Sequence, residues 1–160
     1  MIFISLGSQR FQFNRLLKSI DEQIISGKIK EDIFAQIGFS DYIPKSYRFK
    51  RFLDRDEYSD YISSSEIIIT HGGTGAIIGA VKKQKRVIVV PRQKKYGEHV
   101  DDHQLQISSK FSDMGLILVC LDCNELSEKI CAVRKMQFNK YYSNTSKIIE
   151  SIDCFINNIR

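Results

Sequence analysis

Short apolar runs alternate with amphipathic stretches along the chain, and this alternation limits the possible folds more than any other feature. The apolar runs have the length of buried strands and occupy residues 2–6, 32–37, 47–52, 66–70, 86–90 and 116–120. Between them, apolar residues recur every three or four positions, which is the period of a helix packed on one side. The pattern predicts an α/β fold, a Rossmann-like parallel sheet with helices on both faces.

Recognisable caps bound several of the predicted helices. Gly27 ends the first helix, and Asp54 with Glu57 three residues later forms a capping-box pattern at the start of the second. Further helices are predicted over residues 74–82, 98–111, 124–134 and 143–159. The apolar residues of the last one form a single stripe, which suits either core packing or the docking of another protein.

Length and composition favour a single folded domain over residues 1–160. With 42% hydrophobic and 27% charged residues, the chain is neither disordered nor of low complexity, and 160 residues allow one core. No apolar stretch reaches the roughly 18 residues needed to cross a bilayer, and the first residues do not form a secretory signal. We therefore expect a cytoplasmic protein with four reduced cysteines: Cys120, Cys123, Cys131 and Cys154.

The net charge of +5 favours anionic partners but does not indicate which kind. An excess of lysine and arginine suits an anionic substrate or an anionic membrane face, and equally a solvated basic surface. The sequence has no ribonucleoprotein motif and no helix-turn-helix pattern, so we predict no nucleic-acid partner. A nucleotide- or RNA-binding module is the alternative, which a steep salt dependence of RNA binding would support.

The segment at residues 67–75 is the strongest functional feature. A buried strand leads into a helix through a turn made of His71, Gly72, Gly73, Thr74 and Gly75. Glycine lets a backbone approach a ligand closely, and the free amides of a first helical turn attract phosphate. The segment is neither a P-loop nor the dinucleotide fingerprint, which follows the first strand. It indicates a phosphate or diphosphate site, and an ordinary tight turn with an N-cap is the alternative.

A second loop, Gly7-Ser8, follows the first strand. In parallel sheets the carboxyl ends of the strands meet at one edge, and ligands bind there at the topological switch point. We therefore expect Gly7 and Ser8 to face the same site as the loop at residues 71–75. A plain turn between a strand and a helix is again the alternative.

A third candidate segment runs over residues 91–104. A strand end leads into a basic loop and then into a predicted helix that begins with acidic residues. Carboxylates and amides at that position can bind sugar hydroxyls, although acids also stabilise any helix N-terminus. His99 and His103 would share a helical face, but two ligands without a third do not define a metal site.

Two further patterns favour structural roles. Cys120 and Cys123 have the spacing of metal or redox cysteines, but the sequence lacks the second pair or thioredoxin-like context that such sites need. Asp54 and Asp56 imitate the metal-binding carboxylates of one class of sugar transferase, yet they stand at a helix start, where acids act as caps. We predict no metal site.

The three segments together resemble the C-terminal, nucleotide-sugar-binding half of family 28 glycosyltransferases. The resemblance rests on residues 67–75, residues 87–91 and the ending Asp102-His103-Gln104. It extends in order over about the first 120 residues. The most similar group is the stand-alone form, such as the catalytic subunit of the two-part UDP-GlcNAc transferase of N-glycan assembly and its bacterial capsule and exopolysaccharide counterparts. The chain departs from it with Gly7-Ser8 in place of Gly-Thr and with no glycine at residues 82–85.

The resemblance also implies which residues contact a UDP-sugar. Two loops would enclose the diphosphate: Gly7, Ser8, His71, Gly72, Gly73, Thr74 and Gly75. The strand end at Arg51 and Phe52 would lie beside the uracil. The hydroxyls of the donor sugar would be held by Asp102, His103 and Gln104. Glu98 and His99, which lie where the family varies, are the candidates for a catalytic base.

The implied activity is the inverting transfer of a hexose from a UDP-sugar to a lipid-linked saccharide in capsular or exopolysaccharide biosynthesis. The hexose would be galactose, glucose, glucuronic acid or GlcNAc, and no cofactor or required metal is implied. A complete GT-B enzyme has two Rossmann-like domains, so the resemblance implies a membrane-anchored, acceptor-binding partner subunit. That partner would hold the chain at the inner face of the plasma membrane, and the helix at 143–159 is the candidate docking element. A non-catalytic enhancer subunit of such a transferase is the alternative.

Overall fold

The computed structural model describes residues 1–158 and is built on a six-stranded parallel sheet. In chain order the strands are β1 Ile2–Ser5, β2 Ile33–Gln36, β3 Arg48–Lys50, β4 Ile67–Thr70, β5 Arg86–Val89 and β6 Leu118–Val119. The α-helices are α1 Asn14–Ile25, α2 Arg55–Ser64, α3 Thr74–Lys82, α4 His103–Asp113, α5 Leu126–Lys135 and α6 Thr145–Asn158. Two 3₁₀ turns occupy Lys94–Tyr96 and Cys123–Glu125.

The strand order places a topological switch point in the middle of the sheet. The order is β3-β2-β1-β4-β5-β6, and every neighbouring pair is parallel. The chain therefore builds outward from β1 to one edge and then returns to lay β4 on the other side of β1. Ser5, the last residue of β1, lies opposite Thr70, the last residue of β4. The loops after these two strands consequently meet at the same point, where parallel α/β sheets bind ligands.

Two apolar clusters cover the two faces of the sheet, as the alternation predicted. Alternate residues of a strand point to opposite faces. Ile2 and Ile4 join the cluster that includes residues of α1 and α5, whereas Phe3 joins the cluster that includes residues of α2 and α3. The prediction of helices on both faces is thus confirmed.

Several boundaries differ from the predictions. The helix predicted over 98–111 begins only at His103. Gly97 turns the chain with a left-handed φ of +65°, and Glu98 then inserts its side chain into the protein instead of starting a solvated helix. The strands predicted over 47–52 and 116–120 shorten to β3 and β6. The capping box at Asp54 and Glu57 forms as predicted.

The last helix stands apart from the rest of the fold. All described side chains from residue 145 to residue 157 are exposed, so α6 does not pack into the core. It matches most of the predicted helix at 143–159, of which Ile159 lies outside the described residues. No helix in the described part of the chain is both long and apolar enough to cross a membrane.

Candidate functional site

A cavity of about 570 Å³ opens at the switch point, between the loops that follow β1 and β4. Gly7 and Ser8 line one side, and the opposite side is formed by His71, Gly73, Thr74 and Gly75. The side walls are completed by Gln36, Leu53 and Tyr58. The structure therefore brings the two predicted glycine loops together around one open space.

The imidazole of His71 lies between the two loops and explains two of the glycines. A Cβ atom on Gly7 would stand 2.6 Å from Cε1 of His71, and a Cβ atom on Gly73 would stand 2.3 Å from Nε2. Both distances are well inside van der Waals contact, so any side chain at either position would displace the ring. Gly7 also has a φ of +73°, which L-residues with a Cβ rarely adopt. His71 thus fixes the distance between the loops.

The same ring is held in its neutral form. His71 is only 8% exposed, and burial, reinforced by the nearby positive charge of Arg92, lowers its pKa to about 4. Its Nδ1 atom lies 3.4 Å from the carbonyl oxygen of Ser5, an arrangement in which Nδ1 carries the proton and donates it. At neutral pH the ring is uncharged, so its contribution to the site is its packing against the two loops.

The attraction for an anion comes from the start of α3. Gly73 is the N-cap and offers no side chain to the first turn, so the amides of Thr74, Gly75 and Ala76 have no partner within residues 1–158. All three of these residues line the cavity. A Cβ on Gly75 would meet no described atom within 4 Å, so the lack of a side chain there leaves open space at the helix end. Free amides and the helix dipole together favour a negative charge at this end of the helix.

Gln104 ties α4 to the loop after β4. Its Oε1 atom accepts hydrogen bonds from the backbone amides of Gly72, at 3.0 Å, and Arg92, at 3.1 Å. Gly72 must be glycine here, because a Cβ would stand 2.7 Å from Cβ of Gln104. With Oε1 fixed by two donors, the amide nitrogen of Gln104 is the atom left to bind a ligand.

Asp102 and His103 lie beside Gln104 at the start of α4, and both side chains are exposed. Oδ1 of Asp102 accepts a hydrogen bond of 2.8 Å from the amide of Lys94, which holds the basic loop against α4. Neither side chain lines the 570 Å³ cavity. They stand at the same edge of the sheet, outside the cavity wall.

The two candidate bases occupy very different surroundings. Glu98 is fully buried, and its carboxylate accepts from Nε and Nη2 of Arg15, at 2.9 and 3.0 Å, and from the amide of Gln93. His99 is 15% exposed, and its Nδ1 atom lies 3.0 Å from Oδ1 of Asp101 while its ring packs on Phe11. The amide of His103, together with His99, lowers the pKa of the Asp101 carboxyl. Glu98 forms a buried ion pair with Arg15, whereas the ring of His99 is oriented by the carboxylate of Asp101.

Arg51 and Phe52, predicted to lie beside the uracil, do not line the cavity themselves but directly precede a residue that does. Nη1 of Arg51 donates to the carbonyl of Ser40 at 3.2 Å, and the Arg51 carbonyl accepts from the amide of Gly38. Phe52 is partly exposed and makes an edge-to-face contact with Phe39. Leu53, the next residue, forms part of the cavity wall.

Cys120, Cys123 and Asp54 take part in the packing and capping of the fold. Burial raises the pKa of the Cys120 thiol to about 12 and that of Cys123 to about 11, so both stay protonated. Asp54 accepts the hydrogen bond that caps α2. Within residues 1–158 no group of three histidine, cysteine, aspartate or glutamate side chains is placed to hold a metal ion.

Sequence reasoning missed three residues of this region. Gln36 ends β2 and Arg92 follows β5, so a polar residue closing an apolar run was the available signal for both. Tyr58 reaches the cavity from α2 and hydrogen-bonds Ser5 at 2.9 Å. Nothing in the local pattern of α2 distinguishes that tyrosine from its neighbours.

The parallel six-stranded sheet with helices on both faces has the fold of the C-terminal half of a GT-B glycosyltransferase. The calicheamicin glycosyltransferase CalG4 superposes with a TM-score of 0.60 at 15% identity, over 85% of this chain and 34% of that one. At that identity the likeness concerns the fold alone. Residues 1–157 match the model of the glycosyltransferase family 28 C-terminal domain, and the chain belongs to that family. The predicted resemblance is confirmed and extends beyond residue 120.

Two curated relatives share a name, UDP-N-acetylglucosamine transferase subunit ALG13. The mouse protein is 24% identical over 132 residues, which are 78% of this chain and 11% of that protein. The protein of Candida glabrata is 32% identical over 80 residues, which are 50% of this chain and 34% of that protein. The chain therefore corresponds to about a tenth and a third of the length of these relatives.

Proposed function

We propose that the chain is the donor-binding subunit of an inverting, UDP-sugar-dependent hexosyltransferase. One observation carries the proposal: two glycine loops face each other at the switch point, and between them lie amides of α3 that have no partner in the described part of the chain. A diphosphate has the charge and size to bridge these loops. Family membership and two relatives whose name includes UDP-N-acetylglucosamine transferase subunit support a UDP-sugar as the ligand.

The proposed donor site uses each loop for a different part of the ligand. The diphosphate lies between Gly7-Ser8 and the start of α3, where amides and the hydroxyl of Thr74 donate to its oxygens. The uracil lies along the backbone of residues 51–53. The transferred sugar extends toward the start of α4, where Asp102, His103 and the amide nitrogen of Gln104 bind its hydroxyls.

The same groups account for catalysis at the leaving group. As the sugar departs, negative charge grows on the UDP oxygen that leaves, and donors already pointing at that oxygen stabilise the transition state more than the ground state. The neutral ring of His71 keeps the loops at a fixed spacing, so little reorganisation is needed. In this proposal no metal is required for that step.

The acceptor hydroxyl needs a general base, and His99 is the better placed of the two candidates. Asp101 holds Nδ1 of His99, which leaves Nε2 to accept a proton, whereas Glu98 is committed to Arg15. A base on the partner subunit is the other source. Under either arrangement the sugar configuration inverts, because the acceptor attacks opposite the leaving UDP.

The proposed partner is a membrane-anchored subunit that binds the lipid-linked saccharide. The exposed face of α6 supports a docked protein, since it carries five large apolar side chains: Ile148, Ile149, Ile152, Phe155 and Ile156. Through this partner the chain would act at the cytoplasmic face of the plasma membrane in capsular or exopolysaccharide synthesis.

Reconstituted transfer tests the activity. The chain and its membrane-anchored partner are combined with UDP-galactose, UDP-glucose, UDP-glucuronic acid and UDP-GlcNAc, and sugar transfer to lipid-linked acceptor is measured. With the preferred donor, D102A and Q104A should each lower kcat/KM at least tenfold, because each loses a contact to the transferred sugar. D113A, an exposed acid at the other end of α4, is the control and should keep the wild-type rate.

The same assay decides between a catalytic subunit and an enhancer. The enhancer alternative draws support from Glu98, since the buried acid of the loop is already neutralised by Arg15. An enhancer predicts that D102A and Q104A leave transfer by the pair unchanged. Gln104 and Asp102 also hold backbone amides, so the affinity of each variant for UDP is measured as well. Transfer that fails in these two variants and not in D113A, while both variants bind UDP as the wild type does, would exclude the enhancer.

A further inference from the structure

The guanidinium of Arg92 is buried without the partners that a buried charge normally has. Arg92 follows Pro91 at the end of β5 and is 1% exposed. Its Nη2 atom donates to the carbonyl oxygen of Leu6 at 2.8 Å, whereas Nε and Nη1 have no hydrogen-bond acceptor among residues 1–158. Glu98 is the nearby acid of this loop, but its carboxylate is already bound by Arg15 and by the amide of Gln93.

Packing alone does not account for an arginine at this position. Burying a charge with two unpaired donors is destabilising, and the ring of Phe13, 5.4 Å away, compensates only in part. A methionine would fill a similar volume without that cost. Unsatisfied buried donors are rare in native proteins. These two belong to a side chain that hydrogen-bonds Leu6, the residue before the proposed phosphate loop Gly7-Ser8.

The bond to Leu6 fixes the direction of the next amide. The peptide between Leu6 and Gly7 is trans, so its C=O and N–H groups point in opposite directions. Since the oxygen points at Arg92, the Gly7 N–H points away from it. Gly7 lines the 570 Å³ cavity, Arg92 does not, and the Gly7 amide has no acceptor within the described residues 1–158. The amide is therefore free to donate to a ligand in the cavity that Gly7 lines.

We infer that Arg92 is a positioning residue for the diphosphate, acting through the Leu6–Gly7 peptide. Its guanidinium holds the Leu6 carbonyl, polarises the peptide group and thereby strengthens the hydrogen bond that the Gly7 N–H donates to a phosphate oxygen. In a chain of hydrogen bonds each member strengthens the next, and the low polarity around Arg92 enhances the effect. The inference rests on the proposed function, because it assumes a nucleoside diphosphate between the loops.

The test compares a ligand with phosphates to one without. UDP and uridine are titrated into the full chain and into R92M and R92K, with heat or amide resonances as the signal, and thermal unfolding of each variant verifies its fold. R92M should bind UDP at least tenfold more weakly while its affinity for uridine changes less than twofold. R92K, which keeps the charge but not the planar group, should lie between. K94M removes a neighbouring exposed charge and should match the wild type.

A measurement on the unmodified chain applies even if R92M does not fold. The amide resonance of Gly7 should shift on adding UDP or pyrophosphate and stay in place on adding uridine. Equal losses of UDP and uridine affinity in R92M or R92K would show a merely structural role and overturn the inference, as would a Gly7 resonance that UDP leaves unmoved. A wild-type chain that binds neither UDP nor pyrophosphate overturns the proposed function as well.

Discussion

At the scale of single residues, His71 and the glycines around it act as one unit. The ring occupies the space that a side chain on Gly7 or Gly73 would need, and burial keeps it uncharged. The free amides can then approach an anion without a bulky side chain between them. The glycine-rich pattern was visible in the sequence, but the contact between His71 and Gly7, 64 positions away, depends on the strand order.

The neutral state of His71 predicts a pH dependence of stability. Its pKa is about 4 in the fold and near 6.5 in the unfolded chain, so between these values the unfolded chain binds the proton more strongly. The contribution of His71 is complete above pH 6.5 and decreases as the pH falls toward 4. Between pH 7 and pH 5 the free energy of unfolding should decrease by about 2 kcal/mol from this group.

Urea unfolding of the wild type and of H71N at both pH values measures this contribution. Carboxylates titrate in both proteins, so their contribution largely cancels in the comparison. H71N should lose about 2 kcal/mol less than the wild type between pH 7 and pH 5. Equal losses in the two proteins would mean that His71 is not held neutral by burial.

At the scale of elements, the sequence predicted which segments are helices and strands better than where they begin. Acidic residues before an apolar stripe suggested a helix from Glu98. In the structure Glu98 pairs instead with Arg15, 83 positions earlier, and α4 begins five residues later. A local pattern cannot distinguish an acid that stabilises a helix end from an acid that pairs with a distant cation.

The exposed helix α6 yields a prediction about assembly. Its described side chains are exposed up to residue 157, so removing it uncovers no core. A chain ending at Ser143 should keep its free energy of unfolding within about 1 kcal/mol and its UDP affinity within twofold. It should no longer be captured by the membrane-anchored partner in co-purification.

Point substitutions test whether the apolar side chains of α6, and not only the presence of the helix, are needed for binding the partner. The double variant I152D/F155D should abolish capture by the partner, whereas E150Q, a change at an exposed acid of the same helix, should not affect it. Undiminished capture of the double variant or of the truncated chain would contradict docking through α6.

At the scale of the whole molecule, the sheet topology creates the site. The order β3-β2-β1-β4-β5-β6 brings together two loops that are more than 60 residues apart in the chain. The parallel fold followed from the strand–helix alternation, and the family followed from the three motifs in sequence order. The role of Arg92 could not be predicted from the sequence. It depends on a hydrogen bond to the carbonyl oxygen of Leu6, which lies 86 positions earlier in the chain.

The central claim is that the amino end of α3 binds the diphosphate of a nucleotide sugar, and Gly75 offers the most direct test. A Cβ atom there would meet no atom of the described residues within 4 Å, and the same holds at Gly79 further along α3. An aspartate at position 75 suits a helix N-terminus but places a negative charge where the phosphates would lie. Unlike a change at Gly73, it leaves His71 undisturbed.

The measurement is a calorimetric titration of UDP into the wild-type chain, G75D and G79D. We predict that G75D remains as stable as the wild type but binds UDP at least tenfold more weakly, and that G79D binds it as the wild type does. Equal UDP affinity in all three proteins would contradict the assignment of the phosphate site to the start of α3.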